Sequence, residues 1–219
     1  MAKTTLQPVE LIMLDLDGTI TDSIPAAVRS VQTMLSELKF PPKTTEEINI
    51  HVGYGEIPLI SGSIDSSDPE LINKALESYY KHYRANGIKS IKTYPGVKEF
   101  LGQFEEKTKM IVSNKKEEFI HLILDNLGLS HYFKEIIGGD STPCPKPDPC
   151  TILRLLKELN IAPEKALLIG DMTIDIETGK NAKVLTCAVT YGFHPKSKLA
   201  AQKPDFLVDN LMDLQRYIY

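Results

Sequence analysis

Apolar and polar positions change period several times along the chain, and each change marks an element. Residues 9–15, VELIMLD, form a short apolar run that ends on a turn signal, the pattern of a strand buried on both faces. Over 23–40 the period becomes helical. Ile24, Ala27, Val28, Val31, Leu35 and Leu38 fall on one stripe, which predicts an amphipathic helix. TTEEINIHV begins another, with Thr44 or Thr45 as cap ahead of an acidic first turn. Residues 62–68 read as a polar loop. Residues 68–86 read as a long helix capped by Asp68, with Pro69 in its first position. Across 21–90 the pattern gives helices and loops and no strand.

Alternation then sets in. Helices are expected over 95–107, 116–127, 148–160, 174–182 and 211–218, and strands at KMIVSN (109–114), EIIGG, ALLIGD (166–171), LTCAVTYG and DFLVD. Such βα alternation predicts an α/β fold with a parallel, Rossmann-like sheet covered by helices on both faces. The expected division is a core of residues 1–20 and 91–219, with an all-helical segment, 21–90, inserted after the first strand.

Composition narrows the function classes. The chain has 219 residues, 42% of them hydrophobic and 25% charged, with a net charge of −4. That is ordinary globular composition with no basic footprint for nucleic acid. No apolar run reaches the roughly 18 residues of a membrane helix, and the first ten residues lack the apolar stretch of a signal peptide. Three cysteines point to a reducing cytoplasm and to ordinary thiols at Cys144 and Cys150. A cytoplasmic monomer or homodimer is expected, with no nucleic-acid or membrane partner. His51 and His194 read as surface groups, and Tyr79, Tyr80 and Tyr83 as packing among the inserted helices.

In open parallel sheets, ligands bind beyond the carboxyl ends of the strands. Polar residues collect there. Strand one ends in Asp15 and Asp17, the strand at 109 in Ser113 and Asn114, and the strand at 166 in Asp171, with Asp175 four residues on. The loop PCPKPDP adds Lys146. Asp15 and Asp17, two apart in an extended chain, share one side, and Gly18 permits a sharp turn. Acids this crowded call for a hard cation, and Mg²⁺ suits carboxylates that share it with a substrate phosphate. The set fits phosphoryl transfer. Asp15 would attack, Asp17 would move the proton, and Lys146 would stabilise the phosphoryl oxygens. Gly18, Thr19, Ser113, Asn114 and Lys146 are the expected substrate-binding residues, and Asp15, Asp17 and Asp171 the expected metal site. The HVGYGE loop (51–56) is the candidate substrate-facing segment of the insertion.

The pattern resembles the haloacid dehalogenase superfamily of phosphohydrolases. DLDGT (15–19) resembles its first motif, SNK beginning at Ser113 its second, Lys146 in KPDP its third, and GDMTID (170–175) its fourth. Within that family DGTITDS, VGYGEIPLI and VTYGF are most similar to the phosphoglycolate phosphatase group. The resemblance implies a helical cap over 21–90 and a small phosphorylated metabolite as substrate. It also implies Mg²⁺ on Asp15, the Asp17 carbonyl and Asp171, with Asp175 in support. Lys183 departs from the pattern, standing where this group often has glycine. Competing expectations are a sugar-phosphate mutase, whose relatives tend to carry valine at the Thr19 position, and a phospho-accepting signalling protein, which lacks the 70-residue insertion.

Overall fold

The computed structural model describes residues 6–219. Its centre is strand β1, Leu11–Leu14, buried throughout. Alternation along it serves two cores. Ile12 and Leu14 join Val97, Phe100, Phe119 and Ile120 on one face of the sheet, while Leu11 and Met13 join Ile152, Leu155 and Leu156 on the other. The remaining strands of this sheet are β4 (Thr108–Val112), β5 (Glu135–Ile137), β6 (Ala166–Gly170), β7 (Leu185–Val189) and β8 (Phe206–Val208). They are all parallel, in the order β5-β4-β1-β6-β7-β8. The chain steps from β1 to β4 on one side and later returns to β6 on the other. A crevice therefore opens at the carboxyl end of β1, flanked by the ends of β4 and β6.

Between residues 24 and 90 lie the helices α1 (Ile24–Glu37), α2 (Thr45–Asn49), α3 (Glu56–Ser63) and α4 (Pro69–His82), followed by a π-turn at Tyr83–Gly87 and a 3₁₀ turn at Ile88–Ser90. Asp68 Oδ1 accepts from the Glu70 N–H at 3.0 Å and caps α4. Three details differ from the sequence expectations. Strands β2 (Thr21–Asp22) and β3 (Lys92–Thr93) pair antiparallel where the chain enters and leaves the helical block. Helix α3 runs into what reads as a polar loop at 62. The closing helix at 211–218 is instead a 3₁₀ turn over Leu211–Arg216.

The tyrosines also reach beyond the helical block. Tyr80 and Tyr83 each lie 5.2 Å, centroid to centroid, from Phe119, which sits on α6 (Glu117–Leu127). They join the helical block to the sheet domain, while Tyr79 lies beside Ile24 and Ala27 of α1 and Leu59 of α3 at the cavity wall. Helices α5 (Val97–Gln103), α7 (Cys150–Leu159), α8 (Thr173–Asn181) and α9 (Lys196–Ala201) complete the fold. Lys183 takes a left-handed φ of 62° after α8, the conformation glycine adopts most easily. Its exposed side chain leaves the helix packing intact.

Cys144 and Cys150 are joined by a disulfide across a Cα–Cα distance of 6.0 Å, which corrects the expectation of two free thiols. The Pro145–Lys146–Pro147 turn folds the loop back and brings the two residues within bonding reach. The cysteine content therefore no longer argues for a reducing compartment. Among the described residues, no helix is long and apolar enough to cross a membrane.

Candidate active site

Each acid at the crevice is delivered by a strand end. Asp15 follows β1, and its N–H donates to Ile169 O of β6 at 2.9 Å. Asp171 follows β6 and is fully buried. Asp175 sits in the first turn of α8, where Oδ2 accepts from the Met172 N–H at 3.0 Å. One oxygen from each of Asp15, Asp171 and Asp175 lies within 4.8 Å of the others. Gly18 allows this crowding, with φ at +80°; a Cβ there would stand 2.2 Å from Asp171 Oδ2.

Lys146 answers part of the charge. Its Nζ lies 2.9 Å from Asp15 Oδ1 and 2.6 Å from Asp175 Oδ1. Burial by itself would lower this ammonium, but the two carboxylates outweigh it and hold Lys146 above its ordinary range. Burial pushes the Asp15 carboxyl up to about 6; Lys146 opposes the rise, and the charges of Asp175 and Asp17 add to it. Asp171 is pushed well above the usual carboxylate range by burial, with Asp175 and Asp15 adding. One lysine between three buried acids leaves negative charge uncompensated. Asp15 Oδ1 is buried and receives no well-directed hydrogen bond, although Lys146 stands beside it. Carboxylate oxygens are hard donors of the kind that suits Mg²⁺, and Asp15, Asp171 and Asp175 bring three of them together.

The Asp17 side chain turns away from this cluster. Its Oδ2 is 2.9 Å from Lys115 Nζ, and its Oδ1 accepts from the Ser23 hydroxyl. If Asp17 serves a metal, it does so through its backbone, not its carboxylate. Asp15, Asp17, Ser113 and Lys115 line one cavity of about 30 Å³, whose other wall is Ile24, Val52, Gly53, Gly55, Glu56 and Tyr79. The HVGYGE loop thus faces the crevice. A volume that small holds about two waters, and its walls come from both the strand ends and the helical block.

Three expected substrate-binding residues have their polar atoms committed within the protein. Thr19 Oγ1 donates to Asp171 Oδ1 at 3.0 Å, and the Gly18 N–H donates to Thr21 O at 2.9 Å. Asn114 accepts from the Lys146 N–H at 2.8 Å and donates to Lys146 O at 3.1 Å and Gly53 O at 3.3 Å. These side chains and turns position Asp171 and Lys146. Ser113 stays at the cavity wall, where its Oγ accepts from the Lys115 N–H at 3.4 Å.

Sequence reasoning missed Lys115, Glu56 and His194. Lys115 and Glu56 are buried charged groups on facing walls of the cavity. The Glu56 carboxylate accepts from the Lys116 N–H at 3.0 and 3.1 Å, across the junction between the helical block and α6. His194 is buried rather than superficial, and its Nδ1 accepts from the Thr173 N–H at 3.0 Å at the start of α8. The neighbours of Lys115 in SNK offered a signal. Glu56 closes the HVGYGE segment expected to face the substrate, whereas His194 read as a surface group.

Comparison with known proteins gives the family of the chain. Residues 12–189 match the model of the family described as haloacid dehalogenase-like hydrolase. The chain is 36% identical over 212 residues to phosphoglycolate phosphatase 1 of Pseudomonas aeruginosa, covering 93% of this chain and 78% of that protein. It is 34% identical over 219 residues to phosphoglycolate phosphatase of Vibrio vulnificus, covering 96% of each. Among crystal structures, one described as a predicted phosphoglycolate phosphatase from Haemophilus somnus superposes with a TM-score of 0.90 at 26% identity, over 96% of this chain and 98% of that one. A haloacid dehalogenase-like family hydrolase from Streptococcus pneumoniae shares the fold with a TM-score of 0.83 at 24% identity, over 95% of this chain and 97% of that one. The chain therefore belongs to the haloacid dehalogenase-like hydrolase family.

Proposed function

We propose that this protein is a Mg²⁺-dependent phosphatase that hydrolyses a small phosphomonoester, with phosphoglycolate as first candidate, through a phosphorylated Asp15. The observation that carries the reading is that Asp15 meets Lys146 at 2.9 Å and shares with Asp17 a cavity walled on its other side by the helical block. Asp15 is the attacking carboxylate, ionised above pH of about 6. Lys146 holds Asp15 and Asp175 and faces the phosphoryl oxygens. Asp17, on the cavity side away from the acid cluster, gives a proton to the leaving oxygen and later takes one from the attacking water. Asp15, Asp171 and the Asp17 carbonyl would hold Mg²⁺, with Asp175 in support. When bound, the cation offsets the repulsion between the Asp15 carboxylate and the phosphate dianion.

The helical block over residues 21–90 serves as a cap. The ribbon β2–β3 marks where the chain enters and leaves it, and closure of the cap would keep bulk water and large substrates out. Relatives named phosphoglycolate phosphatase support the substrate choice. Release of inorganic phosphate from phosphoglycolate with Mg²⁺, abolished by excess EDTA, is the expected result. Undiminished turnover in EDTA contradicts the metal assignment.

A further inference from the structure

We propose that Lys115 is a specificity-determining residue: its ammonium binds a second anionic group, carried on the leaving group within two or three atoms of the ester oxygen. The proposal rests on the phosphatase reading above and narrows its substrates to short phosphoesters of hydroxy acids.

Placement is the first ground. Lys115 is buried and lines the cavity shared by Asp15 and Asp17. Its Nζ stands 2.9 Å from Asp17 Oδ2. Asp17 must lie against the leaving oxygen to move its proton, so an ammonium in contact with Asp17 lies beside the leaving group. The phosphoryl end faces Lys146 instead, which Asp15 and Asp175 already hold.

Charge is the second ground. Among the described residues lining this cavity, Lys115 is the one cation, and Ile24, Ala27, Val52 and Leu59 across from it are apolar. Glu56 is the remaining charged group of that wall. Its carboxylate accepts from the Lys116 N–H at the start of α6; burial raises its carboxyl, and the charge of Lys115 opposes the rise. Both oxygens of Glu56 are engaged by that N–H, and the hydrogen bond of Lys115 goes to Asp17. The face of Tyr83, 4.9 Å from the ammonium, completes its surroundings.

Capacity is the third ground. An ammonium carries three N–H donors. One goes to Asp17 Oδ2, and a carboxylate entering the cavity can take another in a charge-assisted bond. Drawing Lys115 toward the substrate also loosens its hold on Asp17. An ester without the second anion leaves that pair intact. Discrimination is therefore expected in kcat as well as in KM.

The test compares two esters with two-carbon leaving groups, phosphoglycolate and ethyl phosphate, in the wild-type enzyme and in Lys115→Met and Lys115→Arg. The wild type should prefer phosphoglycolate by about 100-fold in kcat/KM. Lys115→Met should bring that ratio to within about threefold, and Lys115→Arg should keep most of it. A wild type that hydrolyses both esters equally overturns the inference and leaves the phosphatase reading standing. A Lys115→Met ratio equal to that of the wild type does the same. If Lys115→Met does not fold, the wild-type and Lys115→Arg ratios decide. Hydrolysis of neither ester by the wild type removes the phosphatase reading and this inference with it.

Discussion

Lys146 Nζ stands 2.9 Å from Asp15 Oδ1, linking the loop before α7 to the end of the central strand. The same ammonium reaches Asp175 at 2.6 Å, so one cation serves two buried acids. Replacing it with methionine leaves both acids unpaired, which costs about 3 kcal/mol or more of stability. Activity should fall about 100-fold or further. The sign of the pH effect follows from its charge. Lys146 holds the Asp15 carboxyl down against burial, so without it that carboxyl rises beyond about 6. The acid limb of the kcat/KM profile should move to higher pH in Lys146→Met, and an unmoved limb would separate Lys146 from Asp15.

Stability and metal binding should be linked through pH. Asp15 and Asp171 have carboxyls raised in the folded chain relative to the unfolded one. A raised acid binds more protons when folded, so its contribution to stability declines as pH rises from the unfolded value of 3.8 through about 6. Above that window the metal-free protein carries the full repulsion. Millimolar Mg²⁺ should therefore raise Tm more at about pH 8 than at about pH 5. Equal shifts at both pH values would place the ion elsewhere.

Gly18 and Asp171 leave each other no spare room. Gly18→Ala puts a methyl group 2.2 Å from Asp171 Oδ2 at a φ of +80°. The expected cost is about 2 kcal/mol or more of stability, together with weaker Mg²⁺ binding as Asp171 is displaced. Calorimetry of the variant with and without Mg²⁺ reads both effects.

The Lys146 loop is held twice, by the Cys144–Cys150 bond and by Asn114. Asn114 bonds both the N–H and the carbonyl of Lys146, so it fixes that residue directly. Asn114→Ala should lower kcat about 10-fold, whereas the double change of Cys144 and Cys150 to serine should keep kcat within about threefold. Peptide mapping without reductant should recover the two cysteines as one linked pair. The reverse ranking in kcat would make the disulfide the main clamp.

The core and its acids were legible because they rest on local pattern. The apolar run before Asp15 and the strand ends at Ser113 and Asp171 need no partner to be recognised. Features that depend on distant partners were not. Lys115 pairs with Asp17 across 98 positions and Lys116 with Glu56 across 60, and no local spacing encodes either meeting. The ribbon of β2 and β3 is two residues long on each side, too short for a period to appear. Helix α3 carries Pro58 and Gly62, both poor helix formers, and packing overrides that preference. The disulfide depended on a turn whose geometry spacing alone does not give.

The central claim is that Asp15 is the attacking group. Asp15→Asn keeps the shape of the side chain and removes its nucleophilic charge. With the fold verified by circular dichroism, phosphate release from phosphoglycolate in the presence of Mg²⁺ should drop by about 1,000-fold or more in this variant. Turnover within about tenfold of the wild type would contradict the account.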